Sequence, residues 1–265
     1  MANWQGVAFN QVPDSSNQIH GDDMAQRFGF KGGLVPGVTV SAYLLHPVAD
    51  YFGKDFIEHG FAHCRVNAPL YDQDLFDVEI TDQGDVHCHT CLKRGEGELL
   101  AVAEASIPSV TPDAPMFRGE PLGDGSVNVP ATRADIERLK DNGCHAFAYR
   151  WVPEHAMGTY LRDRSLMASL YAEQGFANPS YILGISNWVL AGNIAMNPWV
   201  HLETHSQNFA ALAAGTDVIG EMSVSDVFER KGHEFVDAEV NIFDAKTLQC
   251  YTAIKLRAIY HLRGA

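Results

Sequence analysis

The stretch "PDSSNQIHGDDMAQRFGFKGGLVPGVTVSAYLLHPVADYF", residues 13–52, decides how this chain is read. Its first part crowds Asn17, His20, Asp22 and Asp23 into seven positions. A turn with Gly32, Gly33, Pro36 and Gly37 follows, and then an apolar run that meets no formal charge until Asp50. A helix apolar on most sides is a core helix and needs other structure wrapped round it. The start of that helix, just after Pro36, leaves backbone N–H groups without helical acceptors at the positive end of the dipole. Gly37 would let a carbonyl approach those donors closely.

The pattern occurs twice. Residues 31–50 align with 174–193, "QGFANPSYILGISNWVLAGN", so that Pro36 matches Pro179, Val38 matches Tyr181, Val40 matches Leu183 and Leu45 matches Trp188. Each segment is followed by predicted strands in the same order: 62–70, 75–82, 85–94 and 98–108 in the first half, and 201–210, 217–230, 233–244 and 248–262 in the second. Period-two alternation is clearest in "EFVDAEVNIF", and the strands are separated by turns such as "DQGD", "RKGH" and "DAKT". Between the halves lies a segment dense in Pro and Gly. Residues 134–143, "ADIERLKDNG", then read as a short helix closed by glycine. The expected organisation is therefore residues 1–108, a linker over 109–135, and residues 136–265. The expected class is α+β, with two antiparallel sheets each wrapped round one long helix.

Composition narrows the function classes. The chain of 265 residues carries 19 basic and 33 acidic residues, a formal charge of −14. A surface of that sign is a poor partner for nucleic acid or anionic lipid, which require clustered Lys and Arg. The uncharged segment 174–200 has the length of a membrane span, but Asn178, Pro179, Ser186, Asn187, Asn193, Asn197 and Pro198 interrupt it and no basic flank anchors it. It reads as a core helix. Five irregularly spaced cysteines fit free thiols in a reducing compartment, and residues 1–12 lack the pattern of a signal peptide, so a cytoplasmic protein is expected.

The helix-then-meander order, twice in one chain, resembles the double hotdog fold. The string Asn17-x-x-His20 followed by "GGLVPG" resembles the signature of the MaoC-like, or hydratase 2, enoyl-CoA hydratases and dehydratases. The fold-level resemblance covers most of the chain, and the motif match is confined to residues 13–40. The resemblance implies an acyl thioester of coenzyme A or of an acyl carrier as substrate, no cofactor, no metal, and an intrachain pseudo-dimer. In the family an Asp and the His activate water, and the Asn fixes the loop. Asn17 and His20 match, and Asp22 matches the acidic or Ser position two residues beyond the His. The family Asp falls on Ser15, and Asp14 is one residue out of register. Asp14 reaching the site through an altered turn, His20 acting alone with Ser15 or Asp22 orienting water, and a different chemistry all remain open. Gly33, Val35, Gly37 and Val38 are the expected oxyanion and substrate-binding positions. The second half holds no copy of the motif, since the same offset carries His20 onto Asp163 and Asn17 onto Tyr160. It is expected to complete the ligand tunnel without catalysing. In eukaryotic hydratase 2 enzymes the catalytic copy is the C-terminal one, so the order is reversed here.

Other signals compete. A hotdog thioesterase needs a carboxylate on or near the central helix, where Asp50 is poorly placed, and Ser15 in the Asp position supports a non-catalytic thioester-binding protein. "HCHTC" (residues 87–91) suggests zinc, but on a strand His87, His89 and Cys91 face one side and Cys88 the other. Glu154 and His155 could form a buried acid–base pair. His201 and His205, four apart on a predicted strand, are expected to share one face at a surface or interface. Lys93 with Arg94, and Arg230 with Lys231, occupy matching turns that could meet coenzyme A phosphates.

Overall fold

The computed structural model describes residues 3–125 and 128–264. In the first half, strand β1 (Trp4–Val7) and helix α1 (Asp22–Arg27) precede helix α2 (Gly37–Phe52). Helix α3 (Lys54–His59) and strands β2 (Phe61–Val66), β3 (Leu75–Gly84), β4 (His87–Arg94) and β5 (Glu98–Ser106) follow. After the linker come β6 (Val129–Pro130), α4 (Arg133–Asn142), β7 (Phe147–Arg150), α5 (Ser169–Ala172) and α6 (Pro179–Asn193). The chain ends with β8 (Ile194–Ala195), β9 (Val200–Asn208), β10 (Asp217–Arg230), β11 (His233–Asp244) and β12 (Cys250–His261).

Ten strands form one antiparallel sheet in the order β1-β3-β4-β5-β2-β9-β12-β11-β10-β7. The five strands of residues 4–106 and the five of residues 147–261 meet at the β2–β9 pair, and each set presents one face to its own helix. Around α2 the inward residues Cys64, Val78, Leu92 and Ala103 are buried with Tyr43, Leu44 and Val48. Around α6, Val218, Val240, Ile254 and Leu256 are buried with Ile185, Val189 and Leu190. α2 is buried continuously from Val38 to Ala49, which is why that segment carries no charge. No helix among the described residues is long and apolar enough to cross a membrane. All five cysteines are buried and free.

The two helices meet through polar side chains near their N-termini. Thr39 Oγ1 donates to Gln11 Oε1 (2.6 Å) and lies 2.9 Å from Ser180 Oγ, while Gln11 Nε2 donates to Thr159 O (2.7 Å). The linker is held across β10 by Glu221. This fully buried carboxylate accepts the backbone N–H groups of Arg118 and Glu120, both at 2.8 Å. These bonds fix the Pro/Gly-rich segment at Arg118 and Glu120. α4 begins at Thr132, whose hydroxyl accepts from Asp135 N, and ends at Gly143, whose φ of 88° only glycine adopts without strain.

Candidate functional site

The loop bearing Asn17 and His20 is clamped to the second half. Asn17 grips the backbone of Trp199 twice, donating from Nδ2 to its carbonyl (3.0 Å) and accepting at Oδ1 from its N–H (3.1 Å). Gln18 N donates to Asn197 Oδ1 (3.0 Å). Ile19, fully buried, anchors the loop beneath these contacts. Gly33 is required here because a Cβ would meet the His20 carbonyl oxygen at 2.1 Å.

His20 is half-buried, and its Nδ1 lies 2.7 Å from Leu34 O. A carbonyl accepts only, so Nδ1 carries the proton and Nε2 keeps its lone pair. Burial lowers the pKa of this imidazole, against the raising effect of the Leu34 carbonyl. The ring is neutral at physiological pH, the form in which it can take a proton.

His20 opens onto a cavity of about 200 Å³ whose walls include Val35, Gly37, Val40, Leu70, Asn187 and His201. A second cavity, about 140 Å³, shares Asn17, His20, Asn187 and Trp199 with the first and adds Ser15 and Val38. Among the described residues no Asp or Glu lines the larger cavity.

Gly37 and Val38 supply the first two amides of α2, which have no acceptor within the helix; the first intrahelical bonds are those of Thr39 and Val40 to Pro36 O. Pro36 provides no side-chain cap. Two other expected binding positions are spoken for: Gly33 N donates to Asp22 Oδ1 (2.7 Å) and Val35 N to Leu70 O (2.9 Å). The donors that remain open at this mouth are therefore those of Gly37 and Val38.

Of the three residues proposed to complete the imidazole, Ser15 shares the smaller cavity with His20, and Asp14 and Asp22 line neither cavity. Asp14 is exposed in the turn and, with Ser15 and Asp22, lines a separate surface hollow. Ser15 Oγ donates to Asn17 O (3.1 Å), a local turn contact. Asp22 is committed to the Gly33 amide.

In place of a carboxylate the cavity is lined by two further imidazoles, His233, whose Nδ1 accepts from Arg263 N (3.1 Å), and the more deeply buried His201. His201 is 6% exposed; its Nδ1 is 2.8 Å from Asn187 Oδ1 on α6, and its Nε2 has no hydrogen-bond partner. Burial pushes its pKa down to about 4. It packs tightly on the helix start, since a Cβ on Gly37 would lie 2.9 Å from His201 O and 3.0 Å from its ring. Close packing thus demands glycine at position 37. His201 does not share a face with His205, contrary to the strand periodicity. The β9–β12 pairing shifts between Arg257 and Ala258, so Leu202 is a bulge residue that reverses the alternation. His201 therefore points into the cavity and His205 to the outer face. No glycine marks this bulge, so the sequence pattern put His201 at a surface or interface and gave Asn187 only as a polar interruption of the helix.

Several competing signals resolve as structure. Glu154 is exposed and His155 Nδ1 accepts from Met157 N (3.0 Å), so they form no buried pair. Lys93 is paired with Glu79, and Arg94 with Asp74 and Glu98. Asp50 is exposed at the end of α2, 3.3 Å from His46 Nε2, and does not line the cavity.

No protein-family model and no curated protein matches this chain. Solved structures do match. A conserved hypothetical protein from Mycobacterium tuberculosis with a double hotdog fold is 11% identical at a TM-score of 0.61, covering 97% of this chain and 95% of that one. A MaoC-like dehydratase is 13% identical at 0.58, with 98% of each chain covered. A protein described as a candidate thioesterase II from Thermobifida fusca YX is 10% identical at 0.56, covering 99% and 93%. The likeness covers nearly the whole chain and so spans both halves, and it establishes the architecture: the chain has a double hotdog fold.

Proposed function

We propose that this protein is a hydratase or dehydratase acting on an enoyl or 3-hydroxyacyl thioester of coenzyme A or an acyl carrier. The observation that carries the reading is the neutral imidazole of His20. Its Nδ1 is tied to Leu34 O, and the ring lines the same two cavities as Gly37 and Val38, the uncapped first residues of α2. In the hydration direction His20 Nε2 takes a proton from water, the oxygen adds to the β-carbon, and the electron pair of the double bond moves towards the thioester oxygen. The Gly37 and Val38 amides hold that charge. The proton on His20 then passes to the α-carbon, and dehydration is the reverse. Asn17 positions the loop, and His201 Nε2, neutral and unpartnered, accepts a hydrogen bond from the water and orients it. Two imidazoles thus stand where the resembling family uses an Asp and a His.

Hydrolysis of a saturated acyl thioester is the second reading. The same base and donors would serve attack on the carbonyl, and a described thioesterase is among the similar structures. Incubation with crotonyl-CoA and with a saturated acyl-CoA separates the two. Loss of enoyl absorbance without thiol release is the expected result. Thiol release from the saturated substrate marks a thioesterase, and binding without either marks a non-catalytic thioester-binding protein.

A further inference from the structure

The outer face of the sheet carries a cluster that the cavity does not use. Where β2 meets β9, His63 pairs directly with His205 across the strands. Their rings stack with centroids 3.8 Å apart and planes 13° apart. Glu203, two residues before His205 and on the same face, places Oε1 2.6 Å from His63 Nε2 and 3.9 Å from His205 Nε2. One ligand atom from each residue lies within 4.8 Å of the other two. All three side chains are partly exposed, so an ion could reach them from solvent.

The surrounding charges leave that Oε1 available. Arg257 on β12 gives its two best bonds to Asp237 (2.8 and 2.7 Å) and approaches only the other oxygen of Glu203, at 3.5 Å. Lys255, opposite His205, is paired with Glu239 at 3.2 Å. Glu104 on β5, opposite His63, adds an exposed carboxylate next to the cluster.

We propose that His63, Glu203 and His205 form a divalent-metal site that ties the two halves of the molecule together across the β2–β9 seam. Two imidazole nitrogens and one carboxylate oxygen would take an ion of the zinc class and leave a position for water. Metal–ligand bonds of about 2.0–2.2 Å put tetrahedral ligand atoms about 3.4 Å apart. The separations of 2.6 and 3.9 Å bracket that value, and small rotations of exposed side chains on two rigid strands close the difference. The sequence reading, which weighed zinc only at "HCHTC", assigned no metal; the ligands here come from opposite halves of the chain and come together only through strand pairing. The other histidine cluster provides an internal comparison. His87 and His89 each approach Asp82 (3.2 and 3.9 Å), but their rings are 5.5 Å apart at 52° on a single strand and converge less well.

The test is calorimetric titration of the tag-free, chelator-stripped full chain with ZnCl₂, with Co²⁺ absorption reporting the geometry. One ion per chain is expected, bound more weakly in acid because a protonated imidazole cannot ligate a metal. His205→Gln and Glu203→Gln should each weaken binding at least about tenfold, and His87→Gln should leave it unchanged. Zinc should raise the thermal midpoint of the wild type and not that of His205→Gln. Metal-free midpoints of the variants near that of the wild type show that they fold. Binding that survives both substitutions, follows His87, or never saturates overturns the proposal.

Discussion

The starts of the two central helices occupy equivalent places in the fold and are built in opposite ways. At α6, Asn178 is fully buried; its Oδ1 accepts from Ser180 N (2.9 Å) and Tyr181 N (3.3 Å), and its Nδ2 donates to Met157 O (3.0 Å). That helix satisfies its own exposed donors. At α2 the preceding residue is Pro36, which offers no side-chain acceptor, and the Gly37 and Val38 amides face the cavities. One helix start is closed by a side chain, while the other is left open to an external acceptor. The residues that the sequence offset pairs also differ: His20 shares a cavity with Gly37 of α2, whereas Asp163 is spent on Ser165, accepting from both its N–H (2.9 Å) and its hydroxyl (2.7 Å). An anion site therefore needs an absent cap as much as a present base.

Breaking this asymmetry should have its largest effect at His20. His20→Ala should lower turnover of an enoyl thioester by ~10²–10⁴-fold with circular dichroism unchanged, and Asp163→Ala should leave turnover within about twofold. Equal losses in the two variants would mean that the halves do not differ as argued. Because burial lowers the pKa of His20, the acid limb of kcat/KM should fall below the ordinary imidazole value of 6.5.

The next effect is on stability. His201 is depressed to about 4, so the unfolded chain binds the extra proton first as pH falls. Stability present above pH 6.5 should drop by about 3 kcal/mol on going down to pH 4, and His201→Gln should remove most of that slope. Denaturant unfolding at several pH values measures it. At the closed helix start, Asn178→Ala should cost about 1–3 kcal/mol by orphaning buried donors. Turnover per folded molecule should be retained, which a thermal melt paired with the assay would reveal. The smallest effect expected is that of Lys93→Met, whose ammonium is already paired with Glu79 on the surface. A change in KM for a CoA substrate beyond about twofold would assign that turn to ligand binding.

Much of the fold was legible. The two uncharged segments became α2 and α6, and the predicted strand at 233–244 is β11 to the residue, because burial of one face imposes a period of two. Edge strands β1 and β7, each of four residues, went unseen; runs that short carry too little periodicity to separate from loop. Asn17, His20 and Gly37 were legible because they lie close together in the chain, and the fold brings them to one cavity. Asp14 and Asp22 were equally close in sequence yet line neither cavity, and Ser15 reaches the smaller one with its hydroxyl donated to Asn17 O, since a loop's φ and ψ rather than its spacing decide where side chains point.

The sequence alone determined which segments must be buried, that the helix-and-meander unit recurs, and where an imidazole precedes a glycine-rich helix start. Each of these follows from local rules of periodicity, charge and backbone freedom. The tertiary structure alone decided that His201 and Asn187 face His20's cavity and that His63 meets His205. Those outcomes depend on a one-residue bulge and on contacts between residues far apart in the chain, which no local pattern encodes.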